Sequence, residues 1–262
     1  MTPFALDEAA LLEWLGQFVW SLFRIAAMFM VVPLFGARYI PVRVRLALSV
    51  AMALVLYPIL PAPPAVEPFS PEGVALVFQQ VLIGVAMGFI MQLVFDAIVI
   101  GIQTVSMSMG LGFAVFLDNQ NGVQVPVLSQ LHLLIALLLF LSFDGHLMLV
   151  QLLADSFRVL PIGVGTLSAD AFWLVASWGS KLFIGAMKVA LPAATAVLIV
   201  NLSIGVISRA APTLNLFAIG QPLTMLVGFV VLYATLPTLQ GSLVFLLEQA
   251  MLSVERLLRL VN

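Results

Sequence analysis

Long apolar runs recur along this chain, and very few charged residues interrupt them. The first run, residues 14–33, contains 20 residues with Arg24 as its single charge. A run of that length crosses about 30 Å of hydrocarbon at about 1.5 Å per residue. Since 63% of the 262 residues are hydrophobic and 8% are charged, one soluble core could not bury this much apolar surface. The sequence therefore predicts an integral membrane protein with an all-α fold.

The scarcity of polar chemistry excludes several classes of function. A formal net charge of -2 at pH 7 provides no basic excess that would attract nucleic acid. The absence of cysteine excludes disulfides, thiolate metal sites and a cysteine nucleophile. His132 and His146 lack acidic or sulfur neighbours at metal-binding spacing, and no serine hydrolase motif is present. We therefore predict no catalytic site, no metal site and no cofactor.

The next apolar runs predict helices of uneven length. Residues 46–60 are short for a full span, whereas residues 73–100 are longer than one crossing needs. Within the longer run, Gly84 and Gly88 have the small-xxx-small spacing that allows another helix to approach closely. Before these runs, the connection 36–45 contains three arginines, and the positive-inside rule predicts that it faces the cytoplasm.

The C-terminal half predicts two helical hairpins and a tail. The apolar run from 127 to 163 is broken at SFDGH, which predicts a hairpin or a broken helix with a turn at Asp144-Gly145. A second hairpin is predicted over 171–236. Beyond Pro237, apolar residues at helical spacing share one face, which predicts an amphipathic, non-spanning tail.

Four charged residues lie inside or at the ends of apolar helices, where each costs about 2.5–3.5 kcal/mol on insertion scales. They are Arg24, Asp96, Lys181 and Lys188. Our interpretation is that Lys181 and Lys188 pair with acidic residues in this or a neighbouring subunit, and that all four act as buried-charge subunit contacts. The alternative is that they line a proton or ion route.

The stretch MGLGFAVFLDNQNGVQVPV, residues 109–127, does not continue a span. Its first glycines lack the third glycine and the flanking strand of a nucleotide-binding fingerprint. Non-helical backbone at membrane depth is tolerated only where it is buried in protein or lines an aqueous cavity. Phe113 and Phe116 would give such a loop bulky apolar tips, and hydrophobic constrictions block ions by dewetting. The sequence is compatible with a pore plug or with an ordinary interhelical loop.

Several strings of this sequence resemble one known family. The stretch at 109–127, FDGHLMLVQLLADSFRVLPIG at 143–163 and NLSIGVISRAAPTLNLFAIGQPLTMLVG at 201–228 resemble the flagellar biosynthetic protein FliR family, the R-type component of the type III export gate. The similarity covers nearly the whole chain and includes RYIPVRVRLAL at 38–48 and FQQVLIGVAMGF at 78–89.

The resemblance implies a non-enzymatic role in protein export. In this family, one R-type chain joins several P-type and Q-type chains in a closed channel at the core of the basal body, through which unfolded flagellar subunits pass. It also implies a location in the bacterial inner membrane, with the assembled gate raised toward the periplasm. Some apparent spans would then be buried against subunits instead of lipid.

The resemblance also implies an internal organisation. The R-type chain looks like a fusion of a P-type portion, here residues 1–170, with a Q-type helical hairpin, here residues 171–262 including the amphipathic tail. A family loop that plugs the pore aligns with residues 109–123. The residues carried onto the plug are Met109, Gly110, Gly112, Phe113, Phe116, Asn119, Asn121 and Gly122. The sequence departs from many relatives at residues 119–121, where they have a proline-containing segment.

Three alternatives stay open at this point. The related T-type component of virulence injectisomes is separated from the flagellar branch by resemblance alone. A secondary transporter using Asp96, Lys181 and Lys188 would be expected to have repeated broken helices in two halves, and the sequence has no such pairing. An intramembrane enzyme would need a convergent set of titratable groups, which the sequence does not indicate.

Overall fold

The regular elements of the computed structural model are helices. It describes residues 8–36, 40–61, 64, 66, 70–111, 127–210 and 216–260, without the side chains of 8–15, 17 and 216–219. The elements are α1 (Glu8–Val31), α2 (Pro33–Gly36), α3 (Val42–Leu56) with a 3₁₀ turn at Tyr57–Ile59, α4 (Pro71–Ser108), α5 (Val127–Ser142), α6 (Gly145–Val159), α7 (Ala169–Ala210) and α8 (Leu216–Arg259). The predicted all-α fold class is confirmed.

Within these described ranges, four helices are long and apolar enough to cross a membrane. They are Val42–Ile59, Pro71–Ser108, Ala169–Ala210 and Gly220–Arg259. The pair α5 and α6 adds a fifth candidate when its two helices are counted as one broken span. Length and composition thus agree with the predicted membrane protein.

The bounds of α3 differ from the sequence prediction in two respects, the length of the helix and the position of its arginines. It begins at Val42, directly after the extended residue Pro41, and with its 3₁₀ turn it reaches 18 residues. That length falls in the range of about 17–25 residues that spans a bilayer, so the run is not too short. Arg43 and Arg45 therefore lie in the first turn of a helix and not in a connection, while Arg38 lies outside the described residues.

The helix α4 has 38 residues and is longer than predicted at both ends. At its start, the Ser70 hydroxyl accepts a hydrogen bond from the Gly73 amide at 3.0 Å. Pro71 occupies the first helical position, where its missing amide hydrogen is not needed. At the other end, the hydroxyls of Thr104 and Ser108 donate to carbonyl oxygens four residues back at 2.9 and 2.6 Å, so polar residues here stay helical.

The sequence predicts one helix break correctly and another wrongly. α5 and α6 are separated at Asp144, whose φ of 55° is a left-handed conformation that aspartate tolerates better than most residues. Pro237, by contrast, does not end a helix, because α8 runs for 44 residues through Pro222 and Pro237. Near this proline, the Thr235 hydroxyl donates to the Leu232 carbonyl oxygen at 3.1 Å and the Thr238 hydroxyl donates to the Thr235 carbonyl oxygen at 2.6 Å, so these polar side chains are satisfied within the helix.

The C-terminal end of α8 has the two faces that its sequence predicts. The apolar side chains of the predicted face are buried, namely Leu243, Leu247, Ala250, Val254 and Leu257. The polar side chains of the opposite face are exposed, namely Glu248, Glu255 and Arg259. The amphipathic pattern therefore continues one long helix instead of forming a separate tail.

The chain divides into two compact units. The first comprises Met1–Gln92, Asp144–Trp178 and Gln249–Asn262, and the second comprises Leu93–Phe143 and Gly179–Glu248. Each unit contains parts of the long helices and is built from segments that are distant in the sequence.

In the first unit, α1 packs directly on α4 at the two glycines that the small-xxx-small spacing singles out. A Cβ atom added to Gly84 would overlap the Arg24 carbonyl oxygen and lie 2.9 Å from the Ala27 Cβ. One added to Gly88 would lie 3.0 Å from the Met28 carbonyl oxygen. The predicted close helix contact is confirmed, with α1 as the partner helix.

In the second unit, α4 packs on α7 at Gly101, and α7 packs on α8. Asn201 Oδ1 on α7 accepts a hydrogen bond from the Thr224 hydroxyl on α8 at 3.0 Å. A Cβ added to Gly185 would lie 2.8 Å from Leu246 Cδ1. Higher residue numbers on α7 thus face lower numbers on α8, so these two helices run antiparallel within the unit.

Candidate functional site

Arg24, the charge that interrupts the first apolar run, is fully buried on α1. Its Nε donates to Gln80 Oε1 at 2.7 Å, and its Nη1 donates to the Ser156 carbonyl and hydroxyl oxygens at 2.9 and 3.2 Å. Its Nη2 donates to the Leu160 carbonyl oxygen at 3.0 Å. The guanidinium also lies over the Phe157 ring, 4.2 Å from the centroid. Arg24 therefore joins α1 to α4 and to the end of α6 within the first unit.

The end of α6 explains why a cation is stable here without a carboxylate. The last carbonyl groups of a helix lack intrahelical donors and carry the partial negative charge of the helix dipole. Leu160 provides a carbonyl oxygen of this kind, and the Ser156 carbonyl oxygen accepts from Arg24 in addition to the Leu160 amide at 3.0 Å. The five donors of a planar guanidinium can bind several such oxygens together. Among the described residues, the acceptors of Arg24 are thus neutral oxygens of the same chain, and its predicted role as a subunit contact stays a prediction.

The other three predicted charges lie in the second unit. Asp96 on α4 and Lys181 on α7 are half-buried, on two helices that pack together at Gly101. Lys188 is exposed, and its Nζ lies 3.8 Å from the centroid of the Phe245 ring, within the range of a cation–π contact. The predicted roles of these residues in contacts with a neighbouring subunit stay predictions.

The predicted plug segment begins where α4 ends. Met109 and Gly110 are described, whereas the remaining predicted plug residues, Gly112, Phe113, Phe116, Asn119, Asn121 and Gly122, lie outside the described residues. The Gly110 amide donates to the Met107 carbonyl oxygen at 3.0 Å, and the Leu111 amide donates to the Ser106 carbonyl oxygen at 3.1 Å. With Gly110 at a φ of 81°, these two bonds form a Schellman motif, which ends a helix at a left-handed glycine.

The same two residues contact α8 within the second unit. Met109 is buried, and a Cβ added to Gly228 would lie 2.6 Å from its Cγ, Sδ and Cε atoms. The Gln221 side-chain amide donates a long hydrogen bond of 3.4 Å to the Gly110 carbonyl oxygen. The first residues of the plug segment are therefore fixed both by the end of α4 and by one face of α8.

Reactive groups do not converge in the part of the chain that the structure describes. No group of three or more His, Asp or Glu side chains is arranged there to hold a metal ion. His132 is buried on α5, and its Nδ1 lies 2.8 Å from the Leu128 carbonyl oxygen of the same helix. This histidine therefore has a hydrogen-bond partner of the ordinary structural kind.

Several residues of these sites have no predicted role in the sequence analysis. A signal existed for Gln80, because a polar side chain inside an apolar helix needs a partner. No comparable signal links Gln221 to Gly110, which lies 111 residues away. The same holds for Gly228, whose role is visible only once Met109 is seen against it.

Comparisons with known proteins agree with the strings quoted above. Residues 15–250 match the family model described as "Bacterial export proteins, family 1". The chain is 40% identical to "Flagellar biosynthetic protein FliR" of Escherichia coli (strain K12) over 226 residues, which cover 86% of each chain. It is 27% identical to the protein of the same name from Bacillus subtilis (strain 168) over 226 residues, which cover 85% of this chain and 87% of that protein. The similarity thus extends over most of the sequence.

Proposed function

Because the chain belongs to the flagellar biosynthetic protein FliR family of bacterial export proteins, we propose that it is a structural and gating subunit of the flagellar type III protein export gate. The match to this family confirms the resemblance described in the sequence analysis. It also confirms the prediction of an export component rather than an enzyme. The proposal depends chiefly on the match over residues 15–250, and the long apolar helices agree with it.

In this proposal, the chain assembles with P-type and Q-type export-gate proteins into the channel through which unfolded flagellar subunits are secreted. The exposed apolar surface of this chain supports the binding of such partners. Within the described residues, an 18-residue apolar stretch of α4 is 61% buried inside the chain, whereas the corresponding stretches of α7 and α8 are 17% and 22% buried. Large side chains such as Phe183, Leu198 and Phe229 are exposed, and apolar surface of this extent requires lipid or another protein.

The proposed location is the inner membrane at the flagellar basal body, among the other export-apparatus proteins and raised toward the periplasm. α4, α7 and α8 have 38, 42 and 44 residues, whereas one crossing needs about 20. Helices of this length extend beyond the hydrocarbon, which supports burial of their ends against partner subunits. α3 differs, because its 18 residues match a bilayer and only 17% of them are buried, so it is the helix that we assign to lipid.

We also propose the two family-derived portions, P-type-like over 1–170 and Q-type-like over 171–262. The antiparallel contacts between α7 and α8 support a helical hairpin in the second portion. Asp96, Lys181 and Lys188 remain proposed contacts with neighbouring subunits, since each is at least partly accessible.

We propose further that residues 109–123 plug the closed channel. Three observations support this role: the family alignment, the phenylalanines at 113 and 116, and the abrupt end of α4 at Gly110. A hydrophobic constriction formed by such side chains would exclude water and ions until an export substrate displaced it.

Deletion of residues 112–121 is expected to leave the complex assembled but leaky to small ions. The helix contacts described above lie outside this segment, while the proposed constriction lies within it. Ion permeability of membranes containing the assembled complex measures the effect, and co-purification of the partner subunits checks assembly. A control variant outside the segment, Gly179→Ala on α7, adds a Cβ that meets nothing within 4 Å, and is expected to stay closed. An assembled deletion variant that is as tight as this control would refute the plug.

Purification of the tagged chain from its native membrane in gentle detergent tests the function as a whole. We expect P-type and Q-type gate proteins to be identified by mass spectrometry in one large complex with the chain. An unrelated tagged inner-membrane protein, purified in parallel, serves as the control. Recovery of the chain alone, or with metabolic or transport proteins, would contradict the export role and favour Asp96, Lys181 and Lys188 as transport residues.

A further inference from the structure

We infer that α8 holds the start of the plug segment in place through a stem clamp, formed by Met109 and Gly110 at the end of α4 and by Gln221 and Gly228 on α8. The inference rests on the proposed plugging function for its biological meaning. The contacts themselves involve described residues of the second unit alone.

The first half of the stem clamp is a seat for Met109. Its side chain is 1% exposed, and three of its atoms approach the position that a Cβ on Gly228 would occupy to 2.6 Å. Carbon and sulfur atoms in van der Waals contact are separated by more than about 3.5 Å. Residue 228 must therefore be glycine for Met109 to lie where it does.

The second half is a polar contact with the chain as it leaves α4. The Gly110 carbonyl oxygen follows the last turn of the helix, and the Gln221 side-chain amide donates to it at 3.4 Å. A Cβ on Gly110 would be strained by its φ of 81° and would lie 3.0 Å from Gln221 Nε2. Any other residue at 110 would thus disturb both the helix end and this contact.

The two α8 residues of the stem clamp are placed to act together. Gln221 and Gly228 are seven residues apart, which is close to two helical turns, so they occupy one face of α8. Between them, Thr224 donates to Asn201 on α7 at 3.0 Å. The part of α8 that contributes to the stem clamp is therefore itself bonded to α7. A shift of α8 relative to α7 would move the contacts with Met109 and Gly110.

The test compares Gly228→Ala with Gly241→Ala in the complete chain, co-expressed with its gate partners. Gly241 also lies on α8, but a Cβ added there meets nothing within 4 Å, so it is a matched control. One readout is ion leak through membranes containing the assembled complex. The second is the rate at which a thiol reagent labels Leu111→Cys, which would be the single cysteine of the chain.

We expect Gly228→Ala to raise both the leak and the labelling rate several-fold, while Gly241→Ala leaves both at the starting level. Gln221→Leu, which cannot donate to Gly110, is expected to raise the labelling rate by a smaller factor. If Gly228→Ala prevents assembly, the labelling rate of Leu111→Cys in the Gln221→Leu variant tests the stem clamp instead.

The two readouts separate the stem clamp from the plugging function. Labelling at the control rate in both Gly228→Ala and Gln221→Leu would overturn the stem clamp, even if the deletion of 112–121 leaks. Faster labelling without leak, together with a tight deletion variant, would support the stem clamp and reject the plug. Faster labelling together with leak in both Gly228→Ala and the deletion variant supports both.

Discussion

Replacing Gly84 by valine is expected to prevent α1 from packing on α4, so that little folded chain is recovered from membranes. The new Cβ would overlap the Arg24 carbonyl oxygen and lie 2.9 Å from the Ala27 Cβ, both on the opposing helix. A backbone oxygen cannot rotate away as the end of a long side chain can, so the helices would have to separate. Overpacking usually costs about 1–3 kcal/mol, and a clash with backbone belongs at or above the top of that range.

The measurement is the yield of monodisperse chain after size-exclusion chromatography in detergent, followed by its thermal unfolding midpoint. Gly179→Val is the matched control, because Gly179 also lies inside a long helix and a Cβ added there meets nothing within 4 Å. We expect the control to resemble the unmodified chain. Equal yield and equal midpoint for the two variants would mean that α1 and α4 do not approach each other at Gly84.

Local patterns in the sequence were sufficient for the helices and for some of their contacts. Apolar runs predicted the helical elements because a chain in lipid must satisfy its backbone hydrogen bonds internally. The spacing of Gly84 and Gly88 predicted a close helix contact because glycine leaves room for an approaching backbone. The turn at Asp144 was predictable because a left-handed residue is a local requirement.

Helix boundaries were predicted less well, since proline acts differently according to its position. Pro71 lies outside the predicted run 73–100 but begins α4, where the Ser70 side chain caps the helix and the first helical position needs no amide hydrogen. Pro237 was assigned to a helix end but lies inside α8. Proline is tolerated inside membrane helices, so its presence in the sequence does not by itself mark a helix end.

The partners within the sites could not be predicted, because they come from distant parts of the chain. The acceptors of Arg24 lie 56, 132 and 136 residues away from it. The sequence shows that a buried arginine needs acceptors, but not that a helix end will supply them. The end of α4 is the opposite case, since a glycine such as Gly110 is a local signal for a helix end.

Replacing Arg24 by methionine is expected to destabilise the first unit by a few kcal/mol. Methionine is also long and flexible, so the substitution removes hydrogen-bond donors more than packing. Gln80 Oε1 and the Leu160 carbonyl oxygen would lose the donors that Arg24 supplies, whereas the Ser156 carbonyl oxygen keeps the Leu160 amide at 3.0 Å. Each buried acceptor left without a donor costs about 1–3 kcal/mol, so two such acceptors cost roughly 2–6 kcal/mol.

Removing the buried charge acts in the opposite direction, because a guanidinium loses its hydration on burial. The cost of the two unpaired oxygens should exceed this gain, since Arg24→Met leaves both of them in place. We therefore expect the net change to be destabilising. Unfolding midpoints in detergent measure the effect against Arg158→Met, whose exposed side chain pairs with Asp155 at 3.2 Å and contributes less than about 1 kcal/mol. Adding Gln80→Leu to Arg24→Met should restore part of the lost stability by removing one unpaired oxygen. If Arg24→Met and Arg158→Met unfold at the same midpoint, the hydrogen bonds of Arg24 do not stabilise the unit.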